Sequence, residues 1–399
     1  MEPGHSHQGH SFNDGPRQAS ELIKGTGKVT IPIKTTWQHG QAYFDQGLGQ
    51  LHGFWYYEAE RSFRQIAAHD PECAMAYWGM AMANWENPER SKEFIEKANT
   101  LTEKAGKHAQ TYIAAQTNYL DEKPSDEKAR RQEMLRDLEN LVHEFPDDIE
   151  AKAFLAVRIW QFSYKSPQIP INSHEAIDAL LQQVLAKEPM HPVHHYRIHL
   201  WDNRKAKRAL DSAAKLAFTA PGIAHMWHMP GHIYSKLHRY EDAAWHQQAS
   251  ARVDHAHMLK HRLLPDQIHN YAHNNEWLSR NWMNLGNRKA AFEMAKSLLA
   301  NPRHPKLNSV EGKAHSYRYG RTRLINVLEK FELWDDALEL TASEWLEPLE
   351  IPEHENPRLR LIGLAHFELG NQKELEQVLA EVDALSGVAK KNHEEAQAE

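Results

Sequence analysis

Fourteen histidines lie between His191 and His273, half of the 28 in the chain. Imidazole is the commonest metal-ligating side chain and titrates near neutral pH, so a concentration of it invites chemistry. Three groups have chelating spacing. In His191-Pro-Val-His-His-Tyr-Arg-Ile-His-Leu-Trp-Asp202, a helix puts His195, His199 and Asp202 within roughly 60° of arc, the carboxylate serving as a third ligand or orienting an imidazole. In His225-Met-Trp-His-Met-Pro-Gly-His232, the residues His225, His228 and His232 repeat the pattern across Pro230, which costs a helix interior about 3 kcal/mol. If Pro230 instead begins the helix, only His232 stays on that face. His269 and His273, one turn apart, form the third group. With so many histidines, co-facial pairs also arise without purpose, and Asp254, His257 and His261 match as well. A packed polar groove is therefore the competing reading.

Other chemistries lack a signature. No zinc-protease H-E-x-x-H, phosphate-binding loop or G-x-G-x-x-G occurs, and nothing marks a nucleophile. The single cysteine, Cys73, rules out an intramolecular disulfide and a Cys-based zinc finger. A net charge of −7 without a basic stripe gives no reason to expect nucleic acid. No apolar run is long enough for a membrane span. The start, Met1 to His7, lacks the parts of a signal peptide, which points to the cytoplasm; a trimmed signal makes the protein periplasmic or secreted.

The elements that must position these residues read as helices. Residues 1–35 are rich in Gly, Pro, Ser and His and are expected to form a disordered arm, with His5, His7 and His10 as loose metal binders at most. Removing residues 1–30 is then expected to leave the melting midpoint unchanged. From Thr36 the apolar residues follow the helical period. Trp227, Gly231, Tyr234 and Ala243 fall on positions of the tetratricopeptide pattern, Ala209 precedes Ala243 by one 34-residue repeat, and Ala59, Phe63 and Pro71 repeat the spacing. The expectation is an all-α, tetratricopeptide-like solenoid of about six or seven helix pairs over residues 36–384, then a polar, frayed tail over 385–399.

The chain also resembles a family of bacterial tetratricopeptide-repeat proteins without an assigned activity. The resemblance covers most of residues 44–290. It rests on Leu51-His52-Gly53-Phe54-Trp55 with Glu58-Ala59, on Asp70 to Gly79, on the HPxxHYxIHxxD pattern at His191–Asp202, on APxxxHxxHMPxHI at Ala220–Ile233, and on HNxxH at His269–His273. The chain departs from the family at Tyr56-Tyr57 and lacks the signal that many members carry. Because the motifs coincide with the histidine groups, the resemblance implies a transition-metal site facing a concave groove. Imidazole with carboxylate suits zinc, copper, iron or nickel.

Two functions follow. One is a metal-binding repeat protein, extending to a metalloenzyme with an open coordination position and a small-molecule ligand in the groove. The other is a scaffold that holds a partner peptide.

Overall fold

The computed structural model describes residues 19–121, 126–165, 168–304 and 315–398; the side chains of His269 and of residues beyond 387 lie outside the description, as do His5, His7 and His10. The protein is all-α, without a strand among the described residues. Helices joined by short connections pack on their sequence neighbours, as paired helices in repeat proteins do. No helix among the described residues is long and apolar enough to cross a membrane. The chain divides by its contacts into two compact units, up to Asp254 and from His255. Repeat contacts are local, so nothing in helix pairing forces one continuous core.

In the first unit, helices Gly40–His52, Tyr56–His69 and Ala74–Ala83 pack in sequence. Small residues make the close approach possible. The Phe63 ring is wedged between Gly47 and Gly79, where an added Cβ would come within 2.6 Å and 2.5 Å of it. Helices Ile149–Lys165 and His174–Lys187 lead to the short helix His194–Trp201, then Leu210–Thr219 and Ala224–Lys236. Pro230 lies inside the last of these, so the helical reading of its histidine face holds. Gly231 admits Gln247 from helix Tyr240–His261, its would-be Cβ standing 2.3 Å from the Gln247 amide nitrogen. One hydrophobic core runs from Val29 to Ala243.

The arm requires correction. Residues 19–35 lack regular structure but are docked on the first unit, with Val29 and Ile31 buried. Backbone meets backbone through glycine: a Cβ on Gly49 would lie 1.9 Å from the Thr26 carbonyl oxygen, and one on Gly222 2.3 Å from that of Lys24. The Gly222 N–H donates to the Gly25 carbonyl at 2.8 Å, and Gln46 accepts from the Ile23 N–H at 2.6 Å. Periodicity misses such a segment because it is bound by main-chain and side-chain hydrogen bonds more than by an apolar stripe.

The second unit contains helices His269–Asn284, Arg288–Leu299, Ser316–Lys330, Trp334–Thr341, Pro352–Glu368 and Gln372–Ala398. Its core gathers Ala295, Leu299, Leu324, Leu328, Leu340 and Leu361. Gly320 lies against Leu298 and Leu299, which again brings two helices close. The polar C-terminal residues continue the last helix to Ala398.

Candidate metal centre

The helix His194–Trp201 sorts its polar residues onto two faces. On one, His194 bonds Ser212 Oγ at 2.9 Å, and Arg197 and Trp201 donate to Asp178 Oδ1 at 2.6 Å and 2.9 Å. That face is anchored to the helices before and after it. On the other face stand His195 and His199, with Asp202 at the C-cap. His225, His228 and His232 come from helix Ala224–Lys236, whose Met226, Met229 and Ile233 fill the core instead. The imidazole centroids of His195 and His225 are 4.8 Å apart, and those of His225 and His228 5.6 Å. The two helices thus bring together five of the predicted histidines and Asp202. One ring nitrogen from each of His195, His199 and His225 lies within 4.8 Å of the others.

The hydrogen bonds fix which nitrogens point inward. A carbonyl oxygen only accepts, so His195 Nδ1, 2.7 Å from the His52 carbonyl, carries the proton. Its Nε2 lone pair then faces His199 Nε2 at 3.0 Å. His228 Nδ1 lies 2.6 Å from Gln247 Oε1; the amide is oriented by its own Nε2, which donates to the His228 carbonyl at 3.3 Å. His228 Nδ1 is therefore a donor as well. His232 Nδ1 is 3.2 Å from Asp202 Oδ2. Burial pushes the Asp202 carboxyl up, but the hydrogen bond to His232 and the positive charge of Lys236 hold it below its usual range, so it is ionised and His232 donates. With both Nδ1 atoms protonated, His228 and His232 present their Nε2 atoms to each other at 2.8 Å. Two lone pairs cannot share that distance unless a proton or a cation stands between them.

Burial, and then the neighbouring imidazoles, hold His195 and His199 well below the ordinary histidine pKa. Neutral rings with outward N–H bonds to a carbonyl or carboxylate are the form in which histidine ligates metal. Phe54 roofs the cluster, its ring 4.4 Å from that of His195 and 5.5 Å from that of His199, and Trp160 lies 4.3 Å from His199. Phe54 has φ of 55°, a left-handed conformation rare for a bulky side chain. Strained backbone of this kind gathers at functional sites.

Behind the cluster is a second group that the sequence reading passed over. Glu150, fully buried, bonds His52 Nε2 at 2.7 Å and His191 Nε2 at 3.1 Å. Burial opposes its charge, yet the two imidazoles bring its pKa down to about 2. The Val193 N–H donates to His191 Nδ1 at 3.0 Å, and Tyr196 Oη is 2.7 Å from His52 Nδ1. Every ring nitrogen and both carboxylate oxygens of this triad are engaged, although its donor atoms also lie within 4.8 Å of one another. It acts as a tie: it fixes His52, whose carbonyl orients His195. The Leu51-His52-Gly53-Phe54 motif was the available signal for His52; Glu150 stands in an ordinary helix start and offers none.

The third predicted pair lies in the second unit. His273 Nδ1 is 3.3 Å from Glu276 Oε1, and Arg323 donates to the other carboxylate oxygen at 2.5 Å and 2.7 Å. His269 begins the same helix, and its side chain lies outside the described residues.

No protein-family model matches this chain, and no curated protein does. Among solved structures, it is similar to the C-terminal part of a TPR repeat-containing protein from Cytophaga hutchinsonii, at 12% identity and a TM-score of 0.37, over 66% of this chain and 96% of that one. It is also similar to the APC/C hetero-tetramer Cut9–Hcn1, at 12% identity and a TM-score of 0.31, over 87% of this chain and 67% of that one. Neither likeness carries an argument about what the histidines do.

Proposed function

We propose that this is a metal-binding helical-repeat protein. A divalent transition ion is held by His195, His199 and His225, and the neighbouring pair His228 and His232, oriented by Gln247 and Asp202, supplies further ligands or a second position. The carrying observation is the set of locked tautomers: His195, His228 and His232 each give their Nδ1 proton to an outward acceptor and turn Nε2 inward. A Zn–N bond of about 2.0–2.1 Å in tetrahedral geometry separates two ligand nitrogens by roughly 3.3 Å. The paired nitrogens here, at 2.8 Å and 3.0 Å, need to open by only a few tenths of an ångström. An all-imidazole set with a nearby carboxylate fits zinc, copper, nickel or iron.

Such an ion, with a coordination position left to water or substrate, would polarise a bound carbonyl or lower the pKa of its water. His195, His199 and His225 would hold it, Phe54 and Trp160 would exclude solvent from one side, and Asp202 would keep His232 in its ligating tautomer. The reading of a peptide scaffold draws on the helical-repeat architecture alone; the gathering of imidazole and aromatic rings favours the metal.

The test is to strip the full chain with chelator and titrate zinc, copper, nickel and iron while following the melting midpoint. Binding to the folded state alone stabilises it by about 2.7 kcal/mol at a hundredfold excess over Kd. One ion should raise the midpoint saturably. His199→Ala and His225→Ala should each remove most of the rise, whereas His238→Ala, whose ring bonds Tyr240 on the exposed surface, should retain it. No shift with any ion, or equal loss in His238→Ala, would leave the peptide scaffold as the better account.

A further inference from the structure

The docked segment meets the first unit at the places that carry the histidine cluster. The Thr26 carbonyl lies against Gly49, one helical turn before His52, whose own carbonyl receives the His195 Nδ1 proton. Gly27, with a φ of 108°, packs on Pro192 shortly before His195, its would-be Cβ standing 2.8 Å from Pro192 Cγ. The Gly25 carbonyl accepts from the Gly222 N–H at 2.8 Å, just ahead of helix Ala224–Lys236 and its His225. Ile223 in turn presses on Gly53, where a Cβ would come within 2.8 Å of it, next to Phe54. The Thr30 N–H donates at 3.3 Å to Glu150 Oε1, the oxygen that also bonds His191.

Residues 24–30 therefore touch every stretch of chain that supplies His195, His225, His52 and the Glu150 tie. The contacts at Gly49 and Gly222 set main chain against main chain, with no flexible side chain to absorb a shift. Close-packed interiors transmit such displacements instead of damping them. A binding constellation has to be held within about 0.5 Å of its working geometry. Moving the start of either histidine helix by that much decides whether the inward nitrogens can share an ion. The segment lacks regular structure, so it is also the part of this unit best able to open by itself.

We propose that residues 24–30 are a strap whose docking is coupled to metal binding: the docked strap holds the histidine helices in ligating position, and a bound ion holds the strap down. This rests on the metal reading above. Coupling of this kind is reciprocal, so the factor by which an ion stabilises the docked strap equals the factor by which losing the strap weakens the ion.

The experiment exposes the full chain briefly to trypsin, in chelator and then with zinc, and reads the first cuts by mass spectrometry. Lys24 and Lys28 are exposed on the strap, and cleavage there follows its undocked population when opening and closing outpace cutting. Zinc should slow those cuts about tenfold or more and leave unchanged the cut after Lys128, exposed near the start of helix Glu127–Glu144 in the same unit. His199→Ala should remove the protection. A chain lacking residues 1–30 should bind zinc more weakly by the same factor, measured by competition with a chromophoric chelator. Saturating zinc that leaves Lys24 and Lys28 as easily cut, protection of Lys128 to the same degree, or undiminished affinity in the shortened chain would overturn the coupling while the metal reading stands. A full chain that binds no zinc would end both. Should the shortened chain fail to fold, the cleavage rates of the full chain and of His199→Ala decide.

Discussion

At the scale of single residues, the site is a matter of where each imidazole proton goes. Spacing identified His195, His199 and Asp202 as a face, but the same helix carries His194, Arg197 and Trp201 on another, with equal claim to polarity. Only Asp178 and Ser212, distant in sequence, decide which face is tied down. His52 and Glu150 escaped notice because their partners are 144 and 41 residues away, at Tyr196 and His191. Asp202→Asn tests the orienting role: it removes the carboxylate that fixes His232 and should weaken metal affinity about 10–100-fold, measured by competition with a chromophoric chelator. Unchanged affinity would exclude Asp202 from the centre. His194 gives a test of burial. Desolvation lowers its pKa to about 4 while the unfolded ring titrates near 6.5. The unfolded state thus binds the extra proton first, so stability is full above about pH 6.5 and declines as pH falls towards 4, by roughly 1.4 kcal/mol per unit for this ring. His194→Gln keeps a donor near the Pro189 carbonyl and should flatten the pH dependence of stability by one proton, read from denaturant titrations across that range.

At the scale of elements, helix type and pairing were plain in the sequence, because Phe63, Gly79, Gly231 and Ala243 leave the spacing of close helix contacts. Pro230 was ambiguous, and the structure keeps it within Ala224–Lys236. The arm was misread: residues 19–35 bury Val29 and Ile31 against the unit without any period to announce it. Its docking depends on Gly49, where a side chain would run into the Thr26 carbonyl. Gly49→Ala should therefore destabilise the protein by about 1–3 kcal/mol despite improving helix propensity, and proteolysis should open first between residues 19 and 35. A stabilised Gly49→Ala would mean that the segment is not held there. The expectation that removing residues 1–30 leaves the midpoint unchanged is replaced by its opposite: the loss of Val29 should lower it by several degrees.

At the scale of the whole molecule, an all-helical chain was legible from the apolar period, and its division at Asp254 was not, since helix Tyr240–His261 runs through that point without a break in pattern. Five predicted ligands and Asp202 belong to the first unit, while His269 and His273 belong to the second, where His273 is engaged by Glu276. The central claim is that histidines of two helices in the first unit share one ion. X-ray absorption on zinc-loaded full chain reads that directly. The account predicts at least three imidazole nitrogens at about 2.0–2.1 Å, no sulfur, and fewer imidazoles in His199→Ala. A shell of oxygens with one imidazole or none, or a spectrum unchanged by His199→Ala, would contradict it.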